Sequence, residues 1–298
     1  GQRQSFHSSG SVMAASQNQR LSVHRREALQ QLAQSVRIKT TEMISRARSS
    51  HIGGNFSMAE IITVLYDVIL NISPKRLDDP DRDRFILSKG HAAAAYYSIL
   101  ALKGFFPMEW LDTFYLNGGH LAGHATRSVP GVEVSSGSLG HGLPMAVGMA
   151  KAAKIDHRPY RVFALLSDGE CQEGSVWEAA MLAAQHRLDN LTVIVDYNKI
   201  QALGQTSEIC DLEPFAEKWN AFGWTVRQVD GHNVDELYGA LSALPFTDEK
   251  PSCVIAHTVK GKGVSFMEDK LLWHYRTPVG EEFDAAMSEL CSSPHLNR

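Results

Sequence analysis

Two short apolar runs with a helical pattern between them stand out near the middle of the chain. The runs cover residues 162–166 and 191–195, and polar turn residues follow each of them. From residue 175 to residue 188, apolar side chains recur at the spacing of one helix face. This pattern predicts a strand–helix–strand unit whose two strands are parallel and buried.

The rest of the chain continues this alternation of strands and helices. Further strands are predicted at residues 85–87, 225–229 and 253–257. Helices are predicted at residues 21–49, 59–70, 92–102, 144–154, 215–222, 234–244 and 281–290, with a capping box at residues 57–60. We therefore expect an α/β fold in one domain, doubly wound, with a mostly parallel sheet and helices on both faces.

The first residues of the chain differ from the rest in composition. Residues 1–19 are rich in Ser, Gln and Gly, and Met13 is a candidate native start after what looks like a vector remnant. We expect disorder here and find no signal-peptide pattern. The predicted organisation is a disordered tail or tag remnant at 1–20, followed by one domain at 21–298.

Composition and charge narrow the class of protein. At 298 residues the chain is long enough to bury a sizeable core. The formal net charge of −4 gives no support to nucleic-acid or membrane-surface binding, and no apolar stretch is long enough to span a bilayer. The four cysteines are scattered without metal-site spacing, which fits free thiols in a reducing compartment. We therefore expect a cytoplasmic protein.

Polar residues follow the two central strands at the edge where parallel sheets bind ligands. Asp168 ends the first strand, and Asn198 closely follows the second. Neighbouring strands lie about 4.8 Å apart, so a carboxylate and an amide oxygen there can reach one ion. Such oxygens suit Mg²⁺, and Gly169 with the following helix start suits a phosphate. A lone Asp-Gly is usually only a turn, but this combination predicts a magnesium–diphosphate site.

Several loops place histidines beside glycines. His51 precedes Gly53 and Gly54 in a loop that we expect to be flexible, and His91 follows a strand just before a helix. Residues 118–124 and 134–142 form glycine-dense loops, which usually let a ligand approach the backbone. Taken alone, His51 is better explained as an exposed surface histidine, His91 could equally be a helix cap, and the glycine-dense loops could be flexible connectors.

Together, these motifs resemble one known family. Asp-Gly followed by Asn resembles the thiamine-diphosphate motif, with Ser167 in the place of its first glycine. From about residue 21 to about residue 274, the chain resembles the N-terminal, diphosphate-binding half of transketolase. The motifs are SHIGG from Ser50, DRFILSKGHA around His91, GHATRSVPGVEVSSGSLGHG from Gly123, SDGECQEG from Ser167, DYNKIQ around Asn198 and VKGKGVSFMEDKLLWH from Val259. Each is weak alone, but their order and spacing are highly specific.

The resemblance implies a thiamine-diphosphate site with Mg²⁺, or with Ca²⁺ or Mn²⁺ in its place. The implied metal ligands are the side chains of Asp168 and Asn198 and the carbonyl of Ile200. The implied cofactor-binding residues are His51, His91, Gly137, Leu139, Gly169, Glu178, Asn198, Lys260 and His274. The implied catalytic residues are His51, His124 and His274, which polarise substrate oxygens and shuttle protons.

Five positions need a qualification within this resemblance. Glu173 and Glu178 match carboxylates near the interface between active sites, but they also fit solvated charges on a helix face. His141 stands where the family commonly has glutamine, Tyr275 where glycine is usual and Ile52 where proline is usual. These three departures affect local loop geometry rather than the cofactor.

The resemblance also implies that this chain carries half of an active site. Full transketolases continue with two further domains, and the first of these supplies a glutamate and aromatic residues to the cofactor. We therefore expect the first subunit of a split transketolase, whose companion chain carries the pyrimidine-binding domain, in an α2β2 heterotetramer. Such an enzyme of carbohydrate metabolism moves a two-carbon ketol unit from a ketose to an aldose, as sugars or sugar phosphates.

Two other functions compete with this interpretation. The α-subunit of a 2-oxo acid dehydrogenase shares the Asp-Gly and Asn metal site, but its chemistry starts from a carboxylate and does not call for several histidine loops. A degenerate subunit that only scaffolds or regulates is the second alternative, and the intact Asp168, Asn198 and loop histidines argue against it.

Overall fold

The structure is a computed structural model, and it describes residues 21–292. The predicted tail at 1–20 lies outside the described residues, and the domain boundary at residue 21 stays a prediction. Within the described range, no helix is both long and apolar enough to cross a bilayer.

A parallel sheet forms the centre of the fold. The strands are β1 (Arg84–Leu87), β2 (Val162–Ser167), β3 (Leu191–Tyr197), β4 (Ile200–Gln201), β5 (Gly204–Gln205), β6 (Thr225–Asp230) and β7 (Ser252–His257). Five of them form one parallel sheet in the order β1-β2-β3-β7-β6, while β4 and β5 form a small antiparallel hairpin. β2 and β3 are buried along their whole length, as expected for central strands covered on both faces.

Helices connect the strands and cover both faces of the sheet. They are α1 (Val23–Ala47), α2 (Ile52–Ser57), α3 (Ala59–Val64), α4 (Ala93–Leu102), α5 (Gly142–Ile155), α6 (Gly174–Gln185), α7 (Thr206–Ile209), α8 (Phe215–Ala221), α9 (Val234–Leu241) and α10 (Glu281–Cys291). Short 3₁₀ turns lie at Gly90–Ala92, Met108–Thr113, Gly169–Gln172 and Leu271–His274. The predicted doubly wound α/β fold is confirmed.

Alternating side chains of the sheet divide the core into two layers. Ile194 of β3 packs with residues from α1, α2, α3, α4, α9 and α10, whereas its neighbours Val193 and Val195 pack with residues from α5, α6 and α8. Successive side chains of a strand point to opposite faces, so each central strand contributes to both layers. The residues that follow the strands at their carboxyl ends line a cavity, which is described below.

The predicted capping box at residues 57–60 is wrong. The Ser57 hydroxyl donates to Asp196 at 2.6 Å and lies 3.2 Å from the Gly54 carbonyl instead of capping α3, and Glu60 is bound by Arg37. The helix predicted at 59–70 is α-helical only to Val64 and continues as a π-helix at Leu65–Ile69. A local four-residue pattern cannot reveal that both polar side chains have distant partners.

The loop predicted at Gly53 and Gly54 is also wrong, because both residues lie in α2. A Cβ on Gly53 would lie 2.9 Å from Cγ of Lys260, so the absence of a side chain makes room for the lysine stem. His51 precedes this helix with φ 73°, a left-handed conformation. The glycines serve close packing here rather than flexibility.

We predict opposite stability effects for two glycine substitutions in α5. In Gly142→Ala, the new Cβ would lie 2.2 Å from Oγ and 2.6 Å from Cα of Ser88, so the free energy of unfolding should fall by about 1–3 kcal/mol. No atom lies within 4 Å of the position that a Cβ on Gly148 would take. Gly148→Ala should therefore raise the free energy of unfolding by about 0.5–1 kcal/mol. Urea unfolding monitored by circular dichroism measures both, and equal effects would contradict this packing.

Candidate active site

A cavity of about 290 Å³ lies at the carboxyl ends of β1, β2 and β3. It brings together residues that are far apart in sequence. Its lining includes the following residues that were singled out from the sequence: His51, His91, His124, Gly137, Leu139, Asp168, Gly169, Asn198, Ile200, Lys260, His274 and Tyr275. His124 and Gly137 lie at its exposed rim, and the side chains of Asp168 and Asn198 lie in its buried wall.

Asp168 and Asn198 are held by the ends of adjacent strands. β2 and β3 pair in parallel with Ser167 opposite Asp196, which places the two following loops side by side. Asp168 Oδ1 accepts from the Gly169 N–H at 2.7 Å, and its Oδ2 accepts from the Lys199 N–H. Asn198 Oδ1 accepts from the Ile200 N–H at 3.1 Å. Both residues line the same cavity.

The oxygens of this wall fit a hard cation. Burial, with the nearby Asp196 carboxylate, raises the pKa of Asp168 to about 7, so a cation would favour its ionised form. The Ile200 carbonyl already accepts from the Lys260 ammonium at 2.8 Å. Among the described residues, no group of three His, Cys, Asp or Glu side chains could hold a metal. A site here would consequently use one carboxylate, one amide and one carbonyl, which suits Mg²⁺ completed by phosphate and water.

Gly169 allows the hairpin after β3 to approach the end of β2. A Cβ on Gly169 would lie 2.8 Å from Cβ of Gln201, closer than real side chains tolerate. The lack of a side chain therefore brings the β4-β5 hairpin, with Ile200, against Asp168.

Three of the histidines form a cluster. The ring centroid of His51 lies 5.1 Å from that of His91 and 5.2 Å from that of His274. Burial, with neighbouring His124 and Lys260, lowers the pKa of His51 to about 4, and burial with Lys260 lowers that of His274 to about 3. Burial also lowers the pKa of His91 well below its usual value. All three rings are neutral at pH 7, so each has one donor and one acceptor nitrogen.

Lys260 links this cluster to the oxygen wall. Its ammonium donates to the Ile200 carbonyl and lies 2.7 Å from Nδ1 of His274. Because Nδ1 accepts from the ammonium, the ring proton of His274 resides on Nε2. Burial lowers the pKa of Lys260 to about 8, so the side chain remains mostly charged at pH 7.

Comparison with known proteins identifies the family. Residues 28–294 match the family described as transketolase, thiamine diphosphate binding domain. The chain belongs to the transketolase family. It is 41% identical over 264 residues to one subunit of the apulose-4-phosphate transketolase of Phocaeicola vulgatus, covering 89% of this chain and 94% of that protein. It is 44% identical over 263 residues to the 6-deoxy-6-sulfo-D-fructose transketolase subunit SqwG of Clostridium sp., and this match covers 88% of this chain and 96% of that protein.

Solved transketolases have the same fold over part of their length. The transketolase of Leishmania mexicana superposes with a TM-score of 0.83 at 30% identity, covering 88% of this chain and 41% of that chain. The transketolase of Campylobacter jejuni superposes with a TM-score of 0.82 at 32% identity, and the match covers 88% of this chain and 42% of that chain. The prediction of an N-terminal transketolase subunit, and so of a transketolase-type transferase, is confirmed. Neither the 2-oxo acid dehydrogenase subunit nor the scaffold is favoured by these relatives.

Other predicted residues of this transketolase chain lie outside the cavity. Glu178 lines an exposed depression on α5 and α6, beside Pro144 and Leu182. Glu173 is exposed and packs over Gly140, and His141 is exposed at the start of α5. Within the described part of one chain, Glu178 therefore does not join the other predicted cofactor residues.

Two buried charges at the cavity were missed in the sequence, and the first of them, Lys89, is part of its lining. Lys89 and Asp196 form an ion pair in which both side chains are 0% exposed. Lys89 also donates to the Gly54 carbonyl at 2.8 Å, and Asp196 accepts from the hydroxyls of Ser57 and Thr258. The sequence held one signal for Lys89, namely that this lysine lies between an apolar strand and an alanine-rich helix.

Glu170 was missed as well, although it stands next to the Asp-Gly motif. Its carboxylate is buried and accepts from the Ser88 hydroxyl, from the Gly140 N–H at 2.9 Å and from the Ser167 N–H at 3.2 Å. It therefore ties the glycine-dense 134–142 loop to the ends of β1 and β2.

We predict that Lys89→Met lowers the free energy of unfolding by about 3–5 kcal/mol, because Asp196 would keep a buried charge without a cation. Lys154→Met, which breaks the pair with Asp189 at the surface, is the matched control and should cost about 0–1 kcal/mol. Urea unfolding of both variants tests the difference. Similar losses in the free energy of unfolding for the two variants would show that the buried pair stabilises the chain no more than a surface pair does.

We also predict that acid destabilises the chain through its neutral histidines. An unfolded histidine binds a proton near pH 6.5, whereas folded His274 stays neutral until about pH 3. Its contribution to stability is therefore complete above pH 6.5 and is lost progressively as the pH falls toward 3. His274→Asn should accordingly lose less stability than wild type between pH 7 and pH 5 in urea titrations without metal. Parallel losses would refute the prediction.

Proposed function

We propose that the chain is the diphosphate-binding subunit of a two-chain transketolase that transfers a two-carbon ketol unit from a ketose to an aldose. The observation that carries this proposal is the shared cavity, which combines the Asp168 and Asn198 oxygens with neutral histidines and Lys260. Substrate hydroxyls on both sides of the breaking bond need donors and acceptors, which neutral imidazoles supply.

The proposed residue roles follow the position of each group in the cavity. Asp168, Asn198 and the Ile200 carbonyl would hold Mg²⁺, and Gly169 with His91 would contact the diphosphate. Gly137 and Leu139 would lie beside the aminopyrimidine ring at the rim. When bound, thiamine diphosphate supplies the electron sink that two-carbon transfer requires.

The remaining roles belong to side chains that handle the substrate. His51, His124 and His274 would orient the ketose hydroxyls and hold or move their protons. The Lys260 ammonium, held beside Ile200 and His274, would offset negative charge near the cofactor.

A companion chain is part of the proposal. Two of the relatives are named as subunits of transketolases, and this chain spans nearly their whole length. Beside the cavity, Leu271, Leu272 and Tyr275 are 41%, 58% and 58% exposed, an apolar rim that a pyrimidine-binding subunit would cover. The substrates would be sugars or sugar phosphates.

An α2β2 assembly and a cytoplasmic location complete the proposal. Met181 and Leu182 of α6 are 59% and 46% exposed beside the depression that contains Glu178, a face suited to a second copy of this chain. This contact would bring Glu178 close to an active site. The cysteines of the described residues, Cys171, Cys210, Cys253 and Cys291, are free thiols, which fits a reducing compartment.

We predict that the purified chain has no ketol-transfer activity and that adding the companion subunit restores it. The reason is that this chain supplies only one wall of the site. Release of aldose from a ketose measures transketolase activity, whereas CO₂ release from a 2-oxo acid would indicate a dehydrogenase subunit. Full activity of the isolated chain would contradict the two-chain proposal.

Metal dependence provides a second test. In the assembled complex, Asp168→Asn should weaken binding of thiamine diphosphate with Mg²⁺ on the order of a hundredfold, because the site loses its charged ligand. Calorimetric titration measures this directly. Asp156→Asn, an exposed change at the far end of α5, is the control and should bind like wild type. Equal affinities of the two variants would remove Asp168 from the metal site.

A further inference from the structure

A chain of buried polar groups runs from the first helix toward the segment that carries Lys260. The Arg37 guanidinium in α1 donates to both carboxylate oxygens of Glu60 in α3, at 2.6 Å and 2.7 Å, and to the Phe56 carbonyl at 3.0 Å. The Arg37 and Glu60 side chains are only 4% and 10% exposed. Burial alone would raise the pKa of Glu60, but Arg37 and His232 lower it to about 2, so the carboxylate is ionised.

His232 connects this pair to the main chain of the basic loop, residues 259–264. It lies in the turn between β6 and α9, with its side chain 13% exposed. Its Nδ1 lies 2.8 Å from Glu60 Oε2, and its Nε2 accepts from the Val259 N–H at 2.8 Å. Because Nε2 is an acceptor, the ring proton is on Nδ1 and is donated to Glu60. Both ring nitrogens therefore have fixed partners.

The same network contacts the basic loop a second time. Gly263 has φ +101°, and a Cβ there would lie 3.2 Å from Cδ of Arg37. The backbone at Gly263 thus lies against the arginine that clamps Glu60. Val259 and Gly263 are consequently the two anchors of the basic loop on this network, and Lys260 lies between them.

The position of Lys260 depends on how this backbone is placed. The Gly261 N–H donates to the Gly53 carbonyl at 3.0 Å, and the Lys260 stem occupies the space left by Gly53. At the end of that stem, the ammonium donates to the Ile200 carbonyl and to Nδ1 of His274. A shift of the Val259 amide would therefore be transmitted directly to the ammonium.

We infer that His232 is a positioning residue, which fixes the Val259 amide and thereby the place where the Lys260 ammonium meets the cofactor site. The inference rests on the proposed function, because it assigns Lys260 to that site. His232 touches neither the cavity wall nor Lys260 among the contacts of the described residues, so it acts through the backbone. Its ring is suited to this task because it joins an ionised, clamped carboxylate to a main-chain N–H.

Two variants separate the contacts of the two ring nitrogens. His232→Asn places its amide nitrogen near the position of Nδ1, where it can still donate to Glu60, but it offers no acceptor to the Val259 N–H. His232→Gln extends its amide to the position of Nε2, where the oxygen can accept from that N–H. Both remove the imidazole, so a general loss of stability should affect them alike.

The main experiment titrates thiamine diphosphate with Mg²⁺ into the assembled complex by calorimetry. We expect His232→Asn to raise the Kd about tenfold, and His232→Gln to stay within about twofold of wild type. The KM for thiamine diphosphate should follow the Kd, while kcat at saturation stays within about twofold. Equal Kd values for the Asn variant and wild type, or equal weakening in both variants, would overturn the inference.

Amide hydrogen exchange of the unloaded chain gives a readout that does not depend on the cofactor. In His232→Asn, the basic loop should exchange at least about tenfold faster than in His232→Gln, while α1 and α3 exchange alike in both. Equal protection of this loop in the two variants would overturn the inference. Failure of the wild-type complex to bind thiamine diphosphate would instead overturn the proposed function, and with it the role given to Lys260.

Discussion

The arrangement of the cavity depends on the buried ion pair between Lys89 and Asp196. Lys89 follows β1 and Asp196 lies near the end of β3, so the pair reaches across the end of the strand between them. The same carboxylate accepts from Ser57 in α2 and from Thr258 after β7. One buried charge therefore gathers four segments of the chain, and each of these segments carries or adjoins a residue of the cavity wall. Removing a charge from water is costly, so this geometry is held only while all partners remain in place.

The electrostatics of the cavity follow from that arrangement. Lys89 and Lys260 are both buried near the histidines, and they add to desolvation in keeping His51 and His274 neutral. Asp168 shows the opposite effect, since burial and Asp196 favour its protonated form. Buried positive and negative groups thus lie side by side in one small cavity, because Lys260 contacts the Ile200 carbonyl and Lys89 pairs with Asp196.

The sequence revealed those parts of the site that depend on chain order, and it missed those that depend on contacts between distant loops. Asp168 and Asn198 stand at strand ends, and parallel pairing alone brings strand ends together. Lys89, Glu170 and His232 could not be assigned, because their partners come from other loops whose approach is fixed only by packing. The false capping box at Ser57 has the same origin, since the hydroxyl prefers a buried carboxylate 139 residues away.

His51 shows what such a site demands of the backbone. It holds φ 73° and ψ 18°, a conformation that disfavours a side chain with a Cβ by roughly 1–2 kcal/mol and that glycine adopts freely. A glycine at this position would relieve the main chain while deleting an imidazole from the cavity. Library selections that score only thermal tolerance would therefore favour glycine at this codon, and any consensus derived from them would remove the imidazole from the cavity wall while improving the scaffold.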